Sequence, residues 1–140
     1  MQVKFQCLRS EARIPVYIHA GDAGANLFSL EHKVLQPGEH YLFSLGFATE
    51  FPSTHVALIR DRSSLAVKSG LTCLGGVIDS NYRGEWGVVL LNTSDQPYEV
   101  QVGDKIAQVL WQPVETAEFE EVSRLNETSR ADGGFGSTGR

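Results

Sequence analysis

Three stretches of the chain hold residue types that can do chemistry. The first is Gly75-Gly76-Val77-Ile78-Asp79-Ser80-Asn81-Tyr82-Arg83-Gly84-Glu85, where an apolar run ending in Ile78 meets a polar corner and Trp86 to Leu91 resumes as strand. That pattern predicts a β-hairpin whose turn carries one carboxylate, Asp79, and one phenol, Tyr82. The paired glycines before it remove side chains and let another molecule approach the backbone. The second is Arg62-Ser63-Ser64, hydroxyls opening a short helical stretch. A helix start offers unpaired N–H groups to an anion, and Arg62 adds a fork that fits phosphate. The third is Phe135, isolated among glycines near the C-terminus, where an aromatic on a flexible strap suits stacking. Each also has a plainer reading: a solvated turn, helix capping by Ser63 or Ser64, and a disordered tail.

The elements that must position these groups are short strands. Val3, Phe5 and Cys7 alternate with polar neighbours as a half-buried edge strand. Pro15 to Ile18 is extended, and Gly21 to Ala25 turns the chain into Asn26-Leu27-Phe28-Ser29-Leu30. Gln36-Pro37-Gly38-Glu39 has Pro and Gly where a type II turn needs them. Tyr41 to Phe51 and His55 to Arg60 read as further strands, and Asp61 to Gly70 as one helix ending at Gly. Tyr98 to Val102 and Lys105 to Trp111 complete the series. Gln108 is a polar residue inside the last of these, and alternation alone would point it outward. Strands separated by turns every 8 to 12 residues indicate an all-β sandwich or barrel.

At 140 residues with a formal charge of −5, the chain reads as one domain. That charge argues against broad binding to nucleic acid, so an anionic ligand must meet a few local cations, a bound metal or backbone N–H groups. Cys7 and Cys73 match no metal spacing and form no disulfide framework. No apolar run approaches a membrane span and no secretory signal is present, so no membrane contact and a cytoplasmic location are expected.

Five segments, in order, resemble the five motifs of the trimeric dUTP pyrophosphatase (dUTPase) family. They are Ala23-Gly24-Ala25-Asn26-Leu27, Arg62-Ser63-Ser64-Leu65-Ala66, Gly76 to Glu85, Gly103-Asp104-Lys105-Ile106-Ala107-Gln108, and Arg130 to Gly139. The resemblance implies a jelly-roll-like β domain over residues 1–128, assembled as a homotrimer, with a mobile strap over 129–140 that closes another subunit's site. It implies hydrolysis of dUTP to dUMP and pyrophosphate with Mg²⁺, which keeps uracil out of DNA and supplies dUMP for thymidylate synthesis. Asp79 would be the base that activates water, and Tyr82 would pack on the deoxyribose and leave no room for a 2′-hydroxyl. The backbone around Val77, Ile78 and Asp79, with Gly87 opposite, would read the uracil edge. Arg62, Ser63, Ser64 and Gln108 would hold the phosphates. Arg130, Gly136, Ser137 and Thr138 would close over them, with Phe135 stacked on the base. No direct protein ligand to the metal is implied; Asn26 would help orient its water shell.

Several positions depart from the family pattern. Asn26 stands where the first motif usually has Asp, which predicts weaker Mg²⁺ binding. Asp61 stands where Pro is common and would repel a triphosphate unless it faces away. Ser64 and Ala131 each replace a frequent Gly. Two alternative functions share the fold: a dCTP deaminase relative, and a catalytically weakened dUTPase-like protein that binds nucleotide and regulates.

Overall fold

The computed structural model describes residues 1–135. It holds eleven strands and one short helix: β1 Lys4–Cys7, β2 Ala25–Phe28, β3 Lys33–Leu35, β4 His40–Ser44, β5 Phe47–Glu50, β6 His55–Arg60, α1 Ser63–Ser69, β7 Leu71–Leu74, β8 Val77–Ile78, β9 Gly87–Asn92, β10 Tyr98–Val100 and β11 Lys105–Pro113. The expected all-β, jelly-roll-like class with one helix is what forms. Among the described residues four antiparallel sheets pair non-consecutive strands, in the orders β2-β11-β6-β8, β4-β9-β7, β1-β5 and β10-β3.

Alternation drives the core. In β9, Val88, Leu90 and Asn92 are buried while the residues between them are partly open. The facing strands add Phe43, Phe47, Ile106 and Val109, and Trp86 lies buried between Phe47 and Trp111, with ring centroids 5.3 and 5.9 Å away. Asn92 is the polar pin of this core. Its Nδ2 donates to the Leu35 and Gln96 carbonyls, and its Oδ1 accepts from the Ser94 N–H and hydroxyl. That satisfies a buried amide and fixes the 93–97 turn.

The Gln36–Glu39 turn forms as expected, with the Glu39 N–H donating to the Gln36 carbonyl at 3.0 Å. The strand expected over Tyr41 to Phe51 is instead two strands, β4 and β5, separated by a corner at Leu45-Gly46. The expected hairpin is also corrected. β8 pairs with β6 (Ala57 with Ile78, Leu58 with Val77), whereas β9 pairs with β4 and β7. Residues 79–86 therefore cross between two sheets. Gly76 explains the turn of partner: its φ is +93°, and a Cβ there would meet the Ile59 carbonyl oxygen at 2.9 Å. Only glycine lets the chain press onto β6 at that point.

Candidate active site

Apart from those after residue 129, the residues singled out from the sequence fall into two grooves that share no lining residue. One, of about 490 Å³, is lined by Asn26, Arg62, Ser63, Ser64 and Gln108 together with Gly24, Asp22, His19 and Lys105. The other, of about 410 Å³, is lined by Val77, Ile78, Asp79, Tyr82 and Gly87 together with Leu42, Ser44, Glu85 and Trp86.

The first groove is built where β2, β11 and β6 run side by side. Gln108 is the cross-strand neighbour of Asn26 on one side and Arg60 on the other. Gln108 does not point out to water, as alternation alone would have it. It is half-buried and its Nε2 donates to the Asp61 carbonyl at 2.8 Å. A Cβ at Gly24 would overlap the Gln108 Oε1, so this glycine exists to let the amide lie across the strand. Arg62 occupies the N-cap of α1, and no side chain caps the helix, so Ser63 and Ser64 are its exposed first residues rather than its caps. Among the described residues the guanidinium is held by one bond, Nη1 to the Lys105 carbonyl at 3.0 Å. Its remaining donors are available to an anion.

Asp61 faces away from this groove. Its carboxylate accepts from the Thr72 hydroxyl at 2.8 Å and the Cys73 N–H at 2.6 Å. Burial pushes the Asp61 carboxyl up, but those two donors and the Arg60 charge outweigh it and hold the group below its ordinary value. Burial and the adjacent Asp61 push the Cys73 thiol up to about 12, so it remains protonated.

In the second groove Asp79 and Tyr82 are both exposed on the crossing segment. Leu42 packs over Gly87, where a Cβ would stand 2.5 Å from its Cδ1. Leu42, Ser44 and Glu85 were not singled out from the sequence. Two of them sit on β4, forty residues away in the chain, and are brought in only by the β4–β9 pairing. Lys105 and Asp22 were likewise passed over, although Lys105 lies within the fourth motif and Asp22 just before the first.

The two grooves lie at opposite ends of β6. Asp79 follows Ile78, which is level with Ala57 near the start of that strand, while Arg62 lies beyond Arg60 at its end. At about 3.3 Å per residue the span from Ala57 to Arg60 is about 10 Å, and Asp79 and Arg62 lie beyond its two ends. Arg130 and Phe135 line neither groove; both are exposed, and Arg130 Nε donates to the Gly133 carbonyl within its own turn. Gly136, Ser137 and Thr138 lie outside the described residues.

Among the described residues no three His, Cys, Asp or Glu side chains converge into a metal cage. The first groove offers instead one carboxylate, Asp22, and the amide oxygens of Asn26 and Gln108. Such hard oxygens fit Mg²⁺, which keeps much of its water and takes its remaining ligands from substrate phosphates.

The family model described as dUTPase matches residues 10–139. The chain belongs to the dUTPase family. It is 44% identical to the deoxyuridine 5′-triphosphate nucleotidohydrolase of Clostridium tetani over 140 residues, 99% of this chain and 97% of that one. The same enzyme of Nautilia profundicola is 44% identical, with both chains covered in full. Among solved structures, a variant of the Staphylococcus bacteriophage 80alpha dUTPase with dUpNHpp superposes with a TM-score of 0.90 at 26% identity, covering 99% of each chain. A dUTPase variant from phage phi11 of S. aureus, whose structure concerns the coordination of a structural Mg(II) ion, gives 0.84 at 26% identity and covers 91% of this chain and 100% of that one. In this dUTPase-family chain the second, third and fourth motifs thus divide between the two grooves. Of the fifth, the described Arg130 and Phe135 line neither.

Proposed function

We propose that the chain hydrolyses dUTP to dUMP and pyrophosphate in sites shared between the subunits of a homotrimer. The observation that carries the shared site is the separation of Asp79 from Arg62 along β6. A nucleotide held by both groups needs the Asp79 groove of one copy set against the Arg62 groove of another. Exposed apolar side chains also favour assembly. Phe119 is 97% and Leu125 81% exposed on an extension without regular structure, and the buried Trp86 Nε1 and Thr49 Oγ1 have no hydrogen-bond partner among the described residues. Buried polar atoms of this kind are satisfied in a finished structure.

In this reading the uracil edge meets the backbone from Val77 to Asp79 with Gly87 opposite, and Tyr82 covers the deoxyribose. Arg62, Ser63, Ser64 and Gln108 bind the phosphates. Asp79 takes a proton from water as the water oxygen bonds to the α-phosphorus, and the bond from that phosphorus to the bridging oxygen breaks to release pyrophosphate. Mg²⁺ bound among the phosphates would draw charge off them, with Asn26 and Asp22 hydrogen-bonded to its water. Another subunit's residues 129–140 close the site, with Arg130, Ser137 and Thr138 on the phosphates, Gly136 among the substrate-binding residues and Phe135 on the base. The described residues hold no helix long and apolar enough to cross a membrane. A cytoplasmic setting belongs to this reading because it is where the nucleotide is used.

One assay tests the proposal: dUTP, dCTP, dTTP and UTP with Mg²⁺, followed by release of pyrophosphate and the base of the product. Pyrophosphate from dUTP alone is expected. Uracil nucleotide appearing from dCTP would move the chain to deamination.

A further inference from the structure

Glu85 lies in the Tyr82 groove, and nothing in the reading above gives it a task. Its surroundings do. The Glu85 Oε1 accepts from the Gly46 N–H at 2.9 Å and lies 3.2 Å from Arg9 Nε. Gly46 is the corner between β4 and β5, and its own carbonyl accepts from the Leu8 and Arg9 N–H groups at 2.7 and 3.1 Å. One carboxylate therefore ties the crossing segment to a corner that the N-terminal strand already grips. At its other end, the Glu85 carbonyl accepts from the Tyr82 hydroxyl at 3.0 Å. The Tyr82 ring lies across Gly84, where a Cβ would overlap the phenol oxygen. Among the described residues the remaining bonds of residues 79–85 are internal: Tyr82 N–H to the Asp79 carbonyl, and Arg83 Nη1 to the Ser80 and Tyr82 carbonyls. Residues 79–85 are thus anchored by β8 on one side and by the buried Trp86 on the other, whose N–H donates to the Phe47 carbonyl at 2.8 Å and whose carbonyl accepts from the Leu45 N–H at 2.9 Å. Between these, the described residues add the Glu85 carboxylate and a 4.0 Å approach of Arg83 to Glu50.

We propose that Glu85 is the positioning residue of the sugar pocket: its carboxylate locks to Gly46 and Arg9, and its carbonyl locks Tyr82, so this linkage sets how firmly the groove refuses a 2′-hydroxyl. The inference rests on the dUTPase reading, in which Tyr82 covers the deoxyribose. An exposed aromatic can reject one oxygen atom only if it cannot swing aside. Residues 79–83 around it are polar and mostly exposed, and do not hold it by packing. A charge-assisted bond to a backbone N–H supplies the stiffness, and it is stronger than a neutral bond. The Arg9 pair is the lesser contributor, because both side chains reach solvent.

The test is the ratio of kcat/KM for dUTP over UTP in wild type, Glu85→Ala, Glu85→Gln, Arg9→Ala, Tyr82→Phe and the Glu85→Ala/Tyr82→Phe pair. Glu85→Ala should reduce the ratio about ten-fold or more, mainly through gained UTP turnover, as loosened positioning does. Glu85→Gln keeps an acceptor for Gly46 and should lose only a part, close to Arg9→Ala. The double variant should lose little beyond the larger single one, because both changes cut one linkage. Melting temperature is followed for every variant. Equal losses on both substrates with an unchanged ratio, or losses that add in the double variant, would overturn the proposal; if Glu85→Ala does not fold, Glu85→Gln and Arg9→Ala decide by the same ratio. A wild type that does not distinguish dUTP from UTP would sink the dUTPase reading itself, a separate outcome.

Discussion

Gly24 and Gln108 are an interlocked pair: the amide of Gln108 fills the space that a Cβ on Gly24 would need, with its Cδ only 2.8 Å from that point. The bond from Gln108 to the Asp61 carbonyl depends on this fit, and it fixes the strand end from which Arg62 projects. Gly24→Ala should push the amide out of the groove. Triphosphate affinity should then fall about ten-fold, since small displacements of binding groups have large effects. Affinity for dUMP, which lacks the outer phosphates, should change little. Calorimetry with dUpNHpp and with dUMP separates the two, and equal losses would show that Gly24 shapes the fold rather than the phosphate groove.

Asp79 carries the second prediction. Asp79→Ala should cut turnover by about 10²–10⁴-fold, the usual share of a general base, while dUpNHpp still binds. Turnover within a few-fold of wild type would put the base elsewhere. Mixed trimers give a further reading: subunit exchange between an Asp79→Ala chain and a strap-deleted chain should restore some activity.

Much of this was legible in the chain. The turn at Pro37-Gly38, the helix ending at Gly70 and the strand resuming over Trp86 to Leu91 are local patterns, and each formed within a residue or two of where its residues indicated. The partner of β8 was not legible. A run, a polar corner and a second run look alike whether the two strands pair with each other or with strands of two sheets. What decides is the fit of Gly76 against Ile59, which only the fold reveals. The same limit hid Leu42 and Ser44, apolar and neutral residues that become groove lining through a register no local pattern encodes. Motif residues carrying charge or amide groups, such as Arg62 and Gln108, were visible because their chemistry is unusual for their positions.

Acid should weaken the fold through Asp61. Its folded value lies below the ordinary one of about 3.9, so its contribution is complete above that value and is lost as pH falls through the lower, folded one. The melting temperature of wild type should exceed that of Asp61→Ala near neutrality, and the gap should narrow below about pH 4. A gap that stays constant or widens in acid would mean that the carboxylate charge is not what Thr72 and Cys73 stabilise.

Asn26 offers a gain rather than a loss. Its Nδ2 is engaged by the Val16 carbonyl, which leaves the amide oxygen to face ligand water. Asn26→Asp should tighten Mg²⁺ in the presence of dUpNHpp by about ten-fold, because charge-assisted hydrogen bonds are roughly twice as strong as neutral ones. Asp22, in the same groove, will oppose part of that through like charge. Titration calorimetry reads the effect without turnover. An unchanged or weaker Mg²⁺ affinity would remove Asn26 from the metal's surroundings.

The last prediction concerns the strap. Among the described residues, 128–133 hold a turn by local bonds alone: Ala131 N–H to the Thr128 carbonyl and hydroxyl, Gly133 N–H to the Arg130 carbonyl, and Arg130 Nε to the Gly133 carbonyl. Ala131 sits at φ +44°, a conformation that disfavours a side chain, so the turn is strained as well as isolated. Ordering such a segment costs about 1–2 kcal/mol per residue in backbone entropy. Only a triphosphate and a base to stack on can offset that. Phe135 stands fully exposed in the single chain, and stacking on a base should contribute about 1–3 kcal/mol. Closure also excludes water and aligns the α-phosphorus, so much of the effect should appear in turnover. Phe135→Ala should therefore lower the rate more than about ten-fold, and Phe135→Trp should keep most of it. Trypsin gives an independent reading at Arg130. Mg²⁺ with dUpNHpp should protect that bond, and dTTP should not. Equal cleavage with and without the analogue would mean that residues 129–140 do not act as a lid.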